Sequence, residues 1–205
     1  MSKIAIIIDL PKKLNSKILF IKKEIKKRFG NQIYLSHPPH ITLYTCDIKN
    51  MNIFKRSLQS LNKKIKLNCS INIKTKKFDF FREDPLTNGN TFYLSIEPNK
   101  GLIKIQKKIF TELNINFKIK TKYLNSLKVD ILKKNYLNYG YPFFGSIWKP
   151  HITIASINKR HNIDNLENIF ALNSNNIFSL KEITIYKIVN NFHEKVDIIK
   201  LNEKN

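Results

Sequence analysis

The spacing of apolar residues predicts strands and helices from the start of the chain. An apolar run over residues 3–9 is typical of a buried strand. Over residues 12–29 apolar positions recur every three or four residues, which predicts an amphipathic helix that ends at Gly30. Residues 40–46 predict a second strand, and a second helix follows it with Asn50 as the N-cap.

The rest of the chain predicts further elements of both kinds. Turn dipeptides over residues 84–89 mark a loop between two strands. The predicted elements are, in chain order, a strand at 66–75, a strand at 91–97, a helix at 100–113, a helix near 123–137, an aromatic loop at 139–145, a strand at 150–157, a short helix at 162–171, and strands at 182–189 and 195–201.

Two predicted strands begin with the same phrase, Pro-His-Ile-Thr. It occurs in HPPHITLY at residues 37–44 and in KPHITI at residues 149–154. In a strand, residues two apart point the same way, so the histidine and threonine of each motif share one face while the aliphatic residues face a core. The candidate catalytic residues are His40, Thr42, His151 and Thr153.

The repeated phrase also bears on the fold. Each motif strand is followed by a predicted helix and two predicted strands, as an internal duplication would leave them. We therefore predict an α+β fold in which residues 1–205 form a single domain of two pseudo-symmetric lobes. Each lobe would be a small antiparallel sheet with helices outside, and the lobes would face a central cleft.

Two histidines and two threonines in one site suit phosphodiester chemistry. One neutral imidazole can take a proton from water or a ribose hydroxyl, and the other, protonated, can give one to the departing oxygen. The threonine hydroxyls can hydrogen-bond the non-bridging oxygens, where negative charge grows. The sequence does not decide which histidine is the acid and which is the base.

A metal site is the competing use of the histidines. Acidic and cysteine side chains do not cluster with either motif, so we predict neither a metal nor another cofactor. The remaining histidines, His37, His161 and His193, are predicted to be loop or surface residues. Cys46 and Cys69 stand alone in apolar stretches, which favours reduced thiols and a cytoplasmic protein.

The paired motifs HPPHITLY and KPHITI resemble the His-x-Thr-x signatures of the two-histidine (2H) phosphoesterase superfamily, which includes 2′-5′ RNA ligases and cyclic phosphodiesterases. The resemblance implies two α+β lobes around a cleft, and metal-independent catalysis by the four motif residues. The Tyr-Gly-Tyr-Pro lead-in at residues 139–142 is also similar to members associated with phosphonate metabolism.

Charge and aromatic residues suggest what the site binds. The chain has 37 Lys and Arg against 15 Asp and Glu, and this net charge of +22 favours a polyanion. Aromatic side chains near a phosphate site can stack on bases, although Phe144 and Trp148 fit equally well as packing at the rim of the cleft. The candidate substrate-binding residues are Tyr44, Phe144, Trp148 and Lys149.

The sequence therefore predicts a monomeric phosphodiesterase acting on RNA ends or oligonucleotides, with no membrane partner. The expected reaction is 2′,3′-cyclic phosphate hydrolysis, or cleavage or ligation of a 2′-5′ linkage. Two alternatives stay open: a hydrolase of a small cyclic nucleotide or phosphonate-related metabolite, and an RNA-binding module with little turnover.

Overall fold

The computed structural model describes residues 2–64, 71–113, 116–166, 170, 175–189 and 192–201. Its strands are β1 (Ser2–Asp9), β2 (His40–Ile48), β3 (Ile71–Phe81), β4 (Asn90–Ile96), β5 (His151–Ile157), β6 (Ile177–Leu180), β7 (Glu182–Val189) and β8 (Phe192–Lys200). Its helices are α1 (Lys12–Phe29), α2 (Met51–Lys64), α3 (Lys100–Leu113), α4 (Thr121–Ser126) and α5 (Asp130–Tyr139), with a 3-10 turn at Gly145–Ile147. Mixed strands and helices confirm the α+β class.

Local signals in the sequence locate most of these elements. The Asn50 side-chain oxygen accepts hydrogen bonds from the backbone N–H groups of Asn52 and Ile53, at 2.9 and 3.2 Å, which confirms the predicted cap of α2. Gly30 has a positive φ of 73° and ends α1, as predicted. Residues close by in the sequence therefore set the start of α2 and the end of α1.

Other elements differ from their predictions. The helix expected near 123–137 is two helices, because the backbone between them is extended at Leu127, whose side chain is buried. The strand expected at 66–75 runs from Ile71 to Phe81 in the described chain, and residues 66–70 lie outside it. Strand β6 was not predicted. Of the helix predicted at 162–171, residues 167–169 and 171 lie outside the described residues, and residues 162–165 form loop and turn backbone.

All eight strands join one antiparallel sheet in the order β6-β3-β4-β5-β2-β1-β7-β8. The motif strands β5 and β2 are neighbours at its centre. The hairpin β3–β4, which follows the first motif, pairs with the second motif strand, β5. The hairpin β7–β8, which follows the second motif, pairs with β1 and so completes the half that contains β2. The chain therefore exchanges strands between the two halves of its sheet.

The two motif strands carry bulges at equivalent positions. In β2 the extra residue is Leu43, directly after Thr42, and in β5 it is Ile154, directly after Thr153. A bulge adds one residue to a strand and reverses the alternation of faces beyond it. The two bulges occupy matching positions, whereas the two-lobe symmetry and the duplication stay predictions.

The helices cover one face of the curled sheet. Helix α1 packs against β5, and α2 packs against α3. The buried stripe of α1, spaced as the sequence predicts, consists of Leu14, Ile18, Ile21 and Ile25. Burying each such side chain stabilises the fold by about 1.5–3 kcal/mol. No helix among the described residues is long and apolar enough to cross a membrane.

Candidate active site

The two motifs meet at the centre of the sheet. Strands β2 and β5 pair through Ile41 and Ile152, the middle residues of the two His-Ile-Thr motifs, and both isoleucines are fully buried. The histidines and threonines on either side of them point to the opposite surface, where they are partly exposed. We call this surface the motif face. The pairing therefore brings together the four residues that the sequence predicted.

Both histidines form the same hydrogen bond to the backbone. Nδ1 of His40 lies 2.7 Å from the carbonyl oxygen of Pro38, and Nδ1 of His151 lies 2.7 Å from that of Lys149. In each case the carbonyl belongs to the residue two positions earlier, directly before the proline of the motif. Because a carbonyl only accepts, Nδ1 carries the proton, and Nε2 of the neutral ring is the free base.

The two Nε2 atoms have different neighbours. Nε2 of His40 lies 3.1 Å from Oγ1 of Thr42, so this hydroxyl donates to the neutral ring. Around His151 the rings of Phe81 and Tyr93 approach edge-on, with centroids 5.0 and 5.3 Å from the imidazole. The motifs are therefore equivalent in backbone geometry but not in surroundings.

The charged groups near His40 also differ from those near His151. Burial lowers the pKa of His40 to about 4, and the positive charges of His193, Lys22 and His37 act in the same direction. Burial also lowers the pKa of His151, but there the Asp84 carboxylate opposes the effect. Of the two imidazoles, His151 is therefore the one on which a nearby carboxylate acts against the effect of burial.

Asp84 is held by hydrogen bonds from its own loop and from β4. The carboxylate is buried, accepts a hydrogen bond from the Thr91 hydroxyl at 2.5 Å, and accepts another from the backbone N–H of Leu86 at 2.9 Å. The sequence placed this residue in a turn, and no local pattern indicated its action on His151.

Two histidines that the sequence assigned to loops or the surface lie beside His40. The ring centroid of His193, in β8, is 6.3 Å from that of His40 and 5.4 Å from that of His37. His37 does lie in the loop before β2, as predicted. Nothing near His193 in the sequence indicates the site, since strand exchange brings β8 there.

The structure also identifies aromatic residues that the sequence did not single out. Phe81 in β3 is partly exposed and stacks on Tyr93 in β4, with ring centroids 4.0 Å apart. Both rings contact His151, so they form an aromatic wall at the second motif. Their positions depend on the pairing of β3 with β4 and of β4 with β5, which no local pattern predicts.

Tyr44 does not reach the motif face. The bulge at Leu43 reverses the alternation of β2, so Tyr44 points into the core, where it is fully buried. There its ring packs against Phe110 and Tyr141, and its hydroxyl donates to the carbonyl of Tyr139. The structure therefore removes Tyr44 from the candidate substrate-binding residues.

Phe144 and Trp148 are buried packing residues and not base-stacking residues, which were the two alternatives that the sequence allows. Phe144 stacks on Tyr139 with ring centroids 4.2 Å apart. Trp148 donates from Nε1 to the carbonyl of Thr42 at 3.1 Å, and so ties the lead-in of the second motif to the first. Neither side chain has the exposed surface that base stacking requires.

Gln106 also connects β2 to the aromatic loop. Its Nε2 donates to the carbonyl of Leu43 at 2.8 Å, and its Oε1 accepts from the backbone N–H of Gly145 at 2.9 Å. The carbonyls of Thr42 and Leu43, next to the bulge, are thus satisfied by Trp148 and Gln106. Buried carbonyls need such donors, so the aromatic loop acts by holding β2 in shape.

The remaining candidates have simpler positions. The Lys149 side chain is exposed, and it stays a candidate phosphate contact. Cys46 is buried, and burial raises the pKa of its thiol to about 12, so it is not a nucleophile. Cys69 lies outside the described residues. Within the described parts of the chain, no group of three His, Cys, Asp or Glu side chains is arranged to hold a metal ion.

Comparison with known proteins identifies the class. A model of the 2′-5′ RNA ligase superfamily matches residues 17–191, and the chain therefore belongs to this superfamily of two-histidine phosphoesterases. No curated protein sequence matches the chain at a significant level.

Solved structures share the fold at low identity. E. coli LigT in complex with 3′-AMP is 14% identical, with a TM-score of 0.65 over 98% of this chain and 99% of that chain. TT0787 of Thermus thermophilus is 10% identical, with a TM-score of 0.65 over 99% of this chain and 100% of that chain. E. coli LigT in complex with NADP+ is 13% identical, with a TM-score of 0.61 over 98% of both chains. At these identities the likeness concerns the fold alone.

Proposed function

We propose that this chain is a metal-independent phosphodiesterase acting on RNA ends or oligonucleotides. The reaction would open a 2′,3′-cyclic phosphate or cleave a 2′-5′ linkage, and the same groups would serve the reverse ligation. The proposal depends above all on the matched hydrogen bonds that turn Nε2 of both His40 and His151 away from the backbone carbonyls. Superfamily membership supports the same class of reaction.

The different surroundings of the two histidines suggest their roles. His40, among cationic neighbours, would act as the base, and His151, which feels Asp84, would act as the acid. Nε2 of His40 takes a proton from water as its oxygen attacks phosphorus. The bond from phosphorus to the ribose oxygen breaks, and His151 gives that oxygen its proton. Exchange with solvent then restores both rings.

The threonines would act on the phosphate. In the free protein the Thr42 hydroxyl contacts His40, and a bound phosphate oxygen would compete for it. Such hydroxyls stabilise the charge that grows on non-bridging oxygens in the transition state. We assign the same role to Thr153, which shares the motif face.

The aromatic wall would hold the base next to the reacting phosphate. Phe81 is partly exposed, stacks on Tyr93 and lies next to His151, which is where a nucleoside on the leaving side would sit. Stacking on an aromatic side chain contributes about 1–3 kcal/mol per base. Phe81 therefore takes the role that the sequence assigned to Tyr44, Phe144 and Trp148.

The test is turnover of a panel of 2′,3′-cyclic, 2′-5′-linked and 3′-5′-linked substrates by the wild type and by His40→Ala and His151→Ala. Each substitution should lower kcat by roughly 10²–10⁴-fold, since each removes one proton transfer. His161→Ala is the matched control, because His161 packs on Phe29 away from the motif face.

Two results would contradict the proposal. Full turnover in either motif variant would exclude the paired acid–base mechanism. Binding of the panel without any turnover by the wild type would instead support the RNA-binding alternative. The expected cytoplasmic location and the monomeric state stay predictions.

A further inference from the structure

Lys22 of α1 is almost completely buried, although its side chain ends in an amine. Only 4% of the residue is exposed, and its Nζ donates to the carbonyls of Tyr34 and His37 at 2.6 and 2.8 Å. Burial lowers the pKa of this amine to about 8, but its charged and its neutral form both carry the two N–H groups that these bonds need. Because buried polar groups need hydrogen-bond partners, Lys22 and the loop before β2 hold each other in place.

The loop that Lys22 holds leads directly into the first motif. His37 is followed by Pro38 and Pro39, and then by His40. A proline ring fixes its own φ and restricts the residue before it, so the segment from His37 to His40 has little conformational freedom. The position of the His37 carbonyl therefore determines the position of the Pro38 carbonyl, one residue further on.

The Pro38 carbonyl has little other support. Pro38 is exposed to solvent, and neither Pro38 nor Pro39 has a backbone N–H that could anchor the segment. This carbonyl nevertheless accepts the hydrogen bond from Nδ1 of His40 at 2.7 Å. A carbonyl in this place keeps the proton of the neutral ring on Nδ1 and leaves Nε2 as the acceptor, which the proposed base requires.

Lys22 also connects the two halves of the site. It belongs to α1, which packs against β5, the strand of the second motif. Its hydrogen bonds therefore tie the loop before the first motif to the helix that packs on the second. Trp148 forms the reciprocal connection, since it lies just before the second motif and donates to the carbonyl of Thr42 in the first.

We propose that Lys22 is a positioning residue for His40. By holding the carbonyls of Tyr34 and His37, it keeps the Pro38 carbonyl where Nδ1 of His40 can donate to it, and so keeps Nε2 free to accept a proton. The inference rests on the proposed function, in which His40 is the base, and names a residue outside the motifs on which that role depends. Without the amine, the loop would lose this anchor and the ring could carry its proton on Nε2 instead.

Nitrogen NMR of the histidine rings in the free protein tests this near pH 7, where burial keeps both motif histidines neutral. In the wild type, His40 and His151 should both carry the proton on Nδ1. Lys22→Met keeps an unbranched side chain but removes the N–H groups, so His40 should carry the proton on Nε2 in a substantial share of the molecules, whereas His151 should not change. Lys22→Arg, which keeps N–H donors, should retain most of the wild-type pattern.

Turnover should follow the state of the His40 ring. In Lys22→Met, kcat should fall by roughly 10–100-fold with little change in KM, as is typical when a partner that orients a functional imidazole is lost. Lys22→Arg should restore most of this loss. The matched control is Lys23→Met, the next residue of α1, which is exposed and should change neither the ring protons nor kcat.

A second variant tests the same connection without touching the buried amine. Pro38→Gly loosens the exposed segment between His37 and His40 and should also shift the His40 proton, so it decides the test if Lys22→Met does not fold. A His40 ring that keeps its proton on Nδ1 in these variants would overturn the inference, and so would an equal change at His151. Because the rings are observed without substrate, a lack of turnover by the wild type would count against the proposed function and not against this inference.

Discussion

Acidification should destabilise this protein through His40. The ring is held neutral in the folded state, where its pKa is about 4 instead of 6.5, because burial and nearby cations disfavour the imidazolium. In the unfolded chain the same ring binds a proton below pH 6.5. The unfolded state therefore gains protons first as the pH falls, and the stability that His40 contributes above pH 6.5 is lost between pH 6.5 and 4.

The size of the effect follows from the two pKa values. One pKa unit corresponds to 1.36 kcal/mol, so the full difference is worth roughly 3 kcal/mol. Most of this stability is lost by pH 5: linkage gives a loss of about 2 kcal/mol at pH 5 and about 3 kcal/mol at pH 4. This is a large part of the roughly 5–15 kcal/mol by which a domain is stable.

Urea unfolding of the wild type and of His40→Gln, at intervals from pH 7 to pH 4, measures this directly. Carboxylates also titrate over this range, but both proteins share them, so the difference between the two curves isolates His40. The wild type should lose about 2–3 kcal/mol more than the variant by pH 4. Parallel curves would show that the folded protein accepts a proton on His40 freely, and His40 would then have no special fitness as the base.

Three further predictions concern catalysis and binding. The pH profile of kcat/KM should be bell-shaped with a maximum below pH 6.5, because burial lowers the pKa of both His40 and His151. Trp148→Phe keeps a buried ring but leaves the Thr42 carbonyl without its donor, so it should cost about 1–3 kcal/mol in urea unfolding and lower kcat more than it raises KM. If the excess of lysine serves a long substrate, oligonucleotide affinity should fall with salt at a log–log slope of about −0.7 per phosphate contacted, more steeply than for a cyclic mononucleotide.

Each of these has a clear contrary result. A rate maximum above pH 8 would mean that a group other than the two histidines limits the reaction. Unchanged kcat and stability in Trp148→Phe would show that the aromatic loop does not support β2. Equal salt slopes for the two ligands would favour the small cyclic phosphodiester as substrate. The proposed metal independence further predicts that EDTA leaves activity unchanged; activity that disappears with EDTA and returns with a divalent ion would contradict it.

The sequence by itself determined the features that depend on neighbours along the chain. The three- and four-residue spacing of apolar side chains located α1, and the side-chain oxygen of Asn50 set the start of α2. Because side chains alternate between the faces of a strand, His40 and Thr42 were predicted to share one face. The second occurrence of Pro-His-Ile-Thr made His151 and Thr153 candidates for the same site. These signals can be read locally, because a period or a cap involves only a few consecutive residues.

Only the tertiary structure decided which distant strands meet, since pairing energy depends on residues that are far apart in the sequence. The exchange of hairpins between the halves of the sheet brought Phe81 to His151, and His193 to His40. Regular alternation along β2 would put Tyr44 on the same face as Thr42. The bulge at Leu43, which the pairing with β1 defines, reverses this alternation, so Tyr44 points into the core. The candidate catalytic residues could thus be predicted from the chain, whereas the residues around them could not.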